Sequence, residues 1–160
     1  MDKLSQAPLS ICFSKAGLTA GTTTTYTTAS AVVYSYRGKM YSAAAATNAA
    51  TPTLDADTGV AFNPLSANQG AIYLFGYNAA GTIQVTQSGI QALDVSGNFI
   101  IAPQLPATPE GVTPFGYLVA KGGSTLVGTW TFGTSNLSGV TGMTYAFQDI
   151  ATLPDRPQVS

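Results

Sequence analysis

Apolar and polar residues alternate with a period of two along much of this chain, the spacing of half-buried strands. The strongest stretch runs from Pro114 to Phe132. In Phe115–Lys121 both pleat faces are apolar, with Phe115, Tyr117 and Val119 on one and Leu118 and Ala120 on the other. A strand apolar on both faces is a central one, covered on both sides. Gly122 and Gly123 then offer the positive φ of a tight turn. Leu126–Gly133 alternates again, with Leu126, Trp130 and Phe132 pointing one way and Val127, Thr129 and Thr131 the other. The spacing predicts a second strand there, hairpinned to the first. The expected core is Phe75, Phe115, Tyr117, Leu118, Trp130 and Phe132.

Ala71–Tyr77 predicts another strand, turned by Asn78–Gly81 into a return strand over Thr82–Gln87. Ala31–Arg37 turns through Gly38 towards Met40 and Tyr41, a further hairpin. Thr22–Thr28, β-branched around Tyr26, favours extended backbone. In Ser42–Ala50 the alanines suggest a short helical turn or a loop crossing. Thr51–Leu65 is punctuated by Pro52, Asp55, Gly59 and Pro64 and reads as loop. Pro103–Pro114, with four prolines, reads as an extended surface connection, and Met143–Ile150 as the last strand. Short strands between Gly, Pro and Asn turns predict an all-β chain: a single β-sandwich or jelly-roll-like domain over residues 22–150. Residues 1–21 read as an extended N-terminal arm, and 151–160 as a Pro-rich C-terminal tail. Leu9, Ile11 and Phe13 alternate, which suits strand addition to a neighbour or to the domain's own sheet.

Charge changes this picture. Only 8% of the 160 residues are charged, and the net charge is −1. Ordinary soluble domains carry about 25% charged residues. Such a surface is expected to be buried in part against other chains. A secreted, hydroxyl-rich β protein is the plainer alternative. The six cations, Lys3, Lys15, Arg37, Lys39, Lys121 and Arg156, form no cluster, which argues against nucleic acid as a partner. No apolar run approaches the roughly 18 residues of a membrane span. The N-terminal stretch is too short and too polar for a signal peptide. Cys12 is the only cysteine, so no disulfide forms within the chain.

Candidate chemistry is sparse. The absence of histidine removes Ser-His-Asp and Cys-His schemes and His-ligated metals. Asp55-Ala-Asp57-Thr-Gly59 opens like a calcium loop, but its glycine comes one place early and Ser66 stands where a bidentate glutamate belongs. An Asx turn is the better reading. Lys121–Thr125 holds phosphate-loop residue types in the wrong order. Asp94, Glu110 and Asp149 are the carboxylates available for glycoside cleavage, and nothing in their spacing pairs them. The eight tyrosines suit a sugar-binding face, a packed sheet surface or an interface. No catalytic residue, cofactor or metal is expected.

Several short motifs carry a likeness to known proteins. They include Tyr36-Arg-Gly-Lys-Met-Tyr41, Thr47-Asn-Ala-Ala-Thr-Pro-Thr53, Asn68-Gln-Gly70 and Pro114-Phe-Gly-Tyr117. The most distinctive are Gly128-Thr-Trp-Thr-Phe-Gly133 and Leu153-Pro-Asp-Arg-Pro-Gln158. Over about residues 30–158 the chain resembles a family of small tailed-bacteriophage virion proteins. Glu110 departs from the aspartate expected before Gly111. The resemblance implies a non-enzymatic head decoration (cement) protein, made in the host cytoplasm and bound to the outer surface of the phage head. Its implied partners are the major capsid protein and itself, as a homotrimer or else a dimer. Leu9, Ile11, Phe13, Thr23, Thr25, Tyr26, Tyr34, Tyr36, Pro154 and Arg156 are the interface candidates. The alternative is a receptor-binding or adhesin module for host glycan, and a glycan-cleaving enzyme ranks below both.

Overall fold

The computed structural model describes residues 10–154 and 156–159. Among them there is no helix. In chain order the strands are β1 (Ile11–Cys12), β2 (Leu18–Ala20), β3 (Thr25–Thr28), β4 (Val32–Tyr36), β5 (Lys39–Ala43) and β6 (Ala46–Ala50). There follow β7 (Gln69–Asn78), β8 (Ile83–Gln87), β9 (Gln91–Ala92), β10 (Val112–Gly122) and β11 (Met143–Asp149). All pairings are antiparallel. A five-stranded sheet runs β11-β10-β7-β8, with β9 also on β7, and two three-stranded sheets run β1-β4-β5 and β2-β3-β6.

Both small sheets meet one face of the large one. Tyr34 of β4 stacks on Tyr77 of β7 at 5.8 Å between ring centres and donates its hydroxyl to the Asn78 carbonyl at 2.7 Å. Tyr26 of β3 meets Phe75 of β7 edge-on at 6.0 Å. Phe75, Phe115, Tyr117, Leu118, Trp130 and Phe132 are each at most 2% exposed. They divide between two clusters. All but Tyr117 face the small sheets, whereas Tyr117 joins Ile72, Leu74 and Val119 on the opposite face.

That division corrects the expected faces of β10. Strict alternation puts Phe115 with Tyr117 and Val119, yet Phe115 packs with Leu118 and Ala120. The cause is a bulge. Pro114 pairs with Gly76 and Gly116 with Phe75, so Phe115 is an extra residue that shifts the parity of the strand. Ladder pairing with β11 starts at Gly116, beyond Pro114.

Leu126–Gly133 is not a strand. The partner of β10 is β11, which pairs back from Gly122↔Met143, and residues 123–142 form a loop between them. Gly128 and Gly133 sit at φ +79° and +82°, which breaks extended backbone. The loop nevertheless puts Leu126, Trp130, Phe132 and Leu137 into the core. Trp130 makes a single bridge to Leu65, and its indole Nε1 donates to the Asn136 carbonyl at 2.8 Å. Ser42–Ala50 also departs from expectation, forming the end of β5 and all of β6. Cross-strand bonds override the alanine helix propensity: the Ala46 amide donates to Thr28 Oγ1 and the Asn48 amide to Thr27 Oγ1.

The described parts of both terminal segments pack on their own domain. Ile11 and Cys12 pair with Ser35 and Tyr34, and Leu18–Ala20 pair with β3. Asp149 accepts hydrogen bonds from the Gly17 and Leu18 amides at 2.9 and 3.1 Å, which ties the N-terminal segment to the end of β11. Leu9 lies outside the described residues.

Trp130 contacts Tyr73, Phe132 and Tyr145 by its ring. Trp130→Ala is expected to cost about 3–5 kcal/mol, read as a lowered denaturant midpoint. A loss below about 1 kcal/mol would place the loop outside the cooperative core. Alkali supplies a second test. Burial pushes the Tyr145 hydroxyl up to about 12 and raises those of Tyr34, Tyr73 and Tyr77. A phenol with a raised folded pKa favours the fold fully below about pH 10, and that contribution is lost as pH rises through the folded value. Melting temperature should therefore hold between about pH 6 and 9, where no histidine titrates. It should fall from about pH 10 upward.

Candidate interaction surface

The two terminal segments converge at one end of the body. The Cys12 amide donates to the Ala151 carbonyl at 2.9 Å, and the Ile150 amide to the Phe115 carbonyl at 2.9 Å. Beside this junction lies a groove of about 510 Å³, lined by Ser10, Tyr36, Pro109, Val112, Pro114 and Leu153 among others. Local sequence builds it. Arg37 (φ +49°) and Gly38 (φ +74°) make the turn that ends β4 and presents Tyr36. Pro109, Pro114 and the Gly111 turn hold the opposite wall. Arg37 Nη2 pairs with Glu110 Oε1 at 2.5 Å across the rim, and the guanidinium carbon lies 5.3 Å from the Tyr36 ring centre. The Thr108 hydroxyl in this lining is buried and has no hydrogen-bond partner.

The interface candidates divide. Tyr36 lines the groove and Pro154 is half-buried just past Leu153. Phe13 is 56% exposed, and Thr23 and Arg156 are exposed. Ile11 is half-buried on its own sheet. Tyr26 and Tyr34 are core residues at 4% and 1% exposure, a correction to their place among the interface candidates. Their strand faces look inward onto Phe75 and Tyr77. Thr25 is half-buried in β3, its hydroxyl oxygen buried without a hydrogen-bond partner. Sequence reasoning missed Val112, Pro114 and Leu153 as groove residues; the Pro-rich stretch leading into β10 was the signal for the first two, and the Pro-rich tail for Leu153.

A second groove, of about 540 Å³, is more polar, with Asp57, Gln87, Gln91 and Gln104 beside Ile101 and Leu105. No aromatic ring is in its lining. The calcium-loop candidate resolves as an Asx turn. The Asp55 carboxylate accepts from the amides of Asp57, Thr58 and Gln87 at 2.8, 3.2 and 2.7 Å. Asp94, Glu110 and Asp149 lie in three separate settings. Asp94 accepts from the Asn98 and Ser96 amides, and the Asn98 bond foremost holds its carboxyl below the ordinary value. Glu110 pairs with Arg37, and Asp149 holds Gly17 and Leu18. Among the described residues, no group of three or more His, Cys, Asp or Glu side chains is gathered to hold a metal. No helix among them is long and apolar enough to cross a membrane.

Comparison of the chain with protein-family models, curated proteins and solved structures finds no match.

The rim ion pair is open to water, with side-chain exposures of 59% and 83%. Glu110→Gln should therefore change stability by less than about 1 kcal/mol, read by thermal melting at low salt. A larger loss would mean that the pair organises the groove.

Proposed function

We propose that this protein is a non-enzymatic structural component of a bacteriophage particle. In this reading it is a decoration protein that binds the outside of the head and clamps neighbouring major capsid subunits. The body is read as a β-sandwich, the two small sheets forming one layer over the five-stranded sheet. The observation that carries the reading is the convergence of both terminal segments beside an apolar groove, on a chain with so few charges. An all-β body with an apolar recess at the meeting point of its ends suits a clamp between subunits. A homotrimer around a local three-fold axis is the expected assembly, with a dimer as the alternative. The adhesin alternative draws less support, because Tyr26, Tyr34, Tyr73, Tyr77 and Tyr117 are buried and offer no face to a sugar.

Protein quantification of purified particles, with antibody labelling in the electron microscope, tests this. The expected result is head labelling and an amount comparable with the major capsid protein. A few copies confined to the tail, or none at all, would overturn the reading. Apolar contacts also predict that particles washed in 1 M salt keep the protein, since exposed ion pairs weaken once the Debye length falls to about 3 Å. Release at moderate salt would show that the few charges dominate.

A further inference from the structure

The second face of the five-stranded sheet is apolar, and among the described residues no sheet covers it. Ile72, Leu74, Tyr117 and Val119 are each at most 3% exposed, with Phe99, Leu105 and Val159 packed against them. The C-terminal segment crosses this face on two polar anchors. The Gln158 amide donates to the Tyr117 hydroxyl oxygen at 2.7 Å, and Lys121 Nζ donates to the Val159 carbonyl at 2.7 Å. Pro157, just before them, is buried. Both anchors project from β10, which is fixed along both edges by β7 and β11. The backbone that carries them is thus held independently of the segment. What the segment offers is a backbone amide, a backbone carbonyl and two apolar side chains. That is the way extended peptides are recognised: main-chain bonds set the register and apolar pockets take the side chains.

We propose that this face is a peptide-docking groove for the chain's own C-terminal segment, taken from a second copy as well as from itself. The contacts are the same in either case. What differs is concentration. A short tether holds its own segment at an effective concentration on the order of millimolar, so exchange between copies competes where copies are crowded to that level. A shell of packed copies, the setting given by the decoration reading, supplies such crowding. Exchange replaces each lost segment by an identical one, the low-cost route by which domain swapping links protomers.

The test uses a fluorescent peptide of residues 151–160 and full-length protein carrying Gln158→Pro, whose own segment lacks the amide that meets Tyr117. Saturable anisotropy is expected. Binding to the unaltered protein should be about tenfold weaker or more, because its groove is already filled. Adding Lys121→Met to the Gln158→Pro protein should weaken binding again, and a peptide with Gln158→Pro should not bind. No saturable binding to a natively folded Gln158→Pro protein would overturn the proposal, as would equal binding of both peptides. Should that variant not fold, unaltered protein labelled with donor or acceptor dye at Ser160 is mixed at concentrations on the order of millimolar. Energy transfer that grows over time, and is abolished by excess unlabelled peptide, supports exchange; its absence rejects it. None of these readouts depends on where the protein sits on a particle.

Discussion

A strand paired on both edges and buried on both faces has no route to water, so each of its backbone groups must be answered by a neighbour. β10 is that strand. From Gly116 to Gly122 it is laddered to β11 on one side and β7 on the other, and from Val112 to Ala120 every residue is buried. Two faces then need covers. The small sheets and the 123–142 loop supply one, with rings such as Tyr73 stacked on Phe132 at 4.8 Å. Phe99, Leu105 and the C-terminal segment supply the other. The bulge at Phe115 belongs to the same constraint. It turns one more ring inward, to stack on Tyr77 at 4.8 Å, just where the β11 ladder ends.

So little charge leaves the polar work to short side chains. Carboxylates here act as backbone acceptors: Asp55 for three amides, Asp94 for a turn, Asp149 for the junction with β2. Threonine hydroxyls join β3 to β6, and Asn78 Oδ1 takes the Ala80 and Thr82 amides to close the β7–β8 hairpin. Such bonds, some within one turn and others between distant segments, tie the chain to itself. They explain why acidic residues, which suggested hydrolytic chemistry in the sequence, are dispersed by the fold rather than gathered.

The all-β character was legible because period-two patterning and Gly or Asn turns agreed, as at Asn78–Gly81. Burial was legible further than secondary structure was. Leu126, Trp130 and Phe132 do point inward, but a loop with glycines at positive φ delivers them, and alternation alone cannot separate that from a strand. Tyr26 and Tyr34 were misread because a tyrosine on a half-polar strand looks the same whether its ring faces a partner or a sheet of its own chain. Their inward direction follows from pairing and packing over long sequence separations, such as Tyr34 with Asn78. The groove beside Tyr36 was illegible for the same reason: its walls come from β4, the Pro109–Pro114 stretch and Leu153, which only the closed fold brings together.

The recess beside Tyr36 and the face over Tyr117 differ in what covers them, and that difference orders their use. Among the described residues, the recess beside Tyr36 stands open between Tyr36, Pro109 and Leu153. The face over Tyr117 carries its own C-terminal segment, so an incoming copy must displace a tethered rival at high effective concentration. In the decoration reading, attachment through the recess comes first, because it needs no neighbouring copy. Exchange of C-terminal segments follows only once neighbouring sites have filled. Binding of that kind makes each added copy stabilise those already seated, through contacts that charge does little to steer and salt does little to weaken.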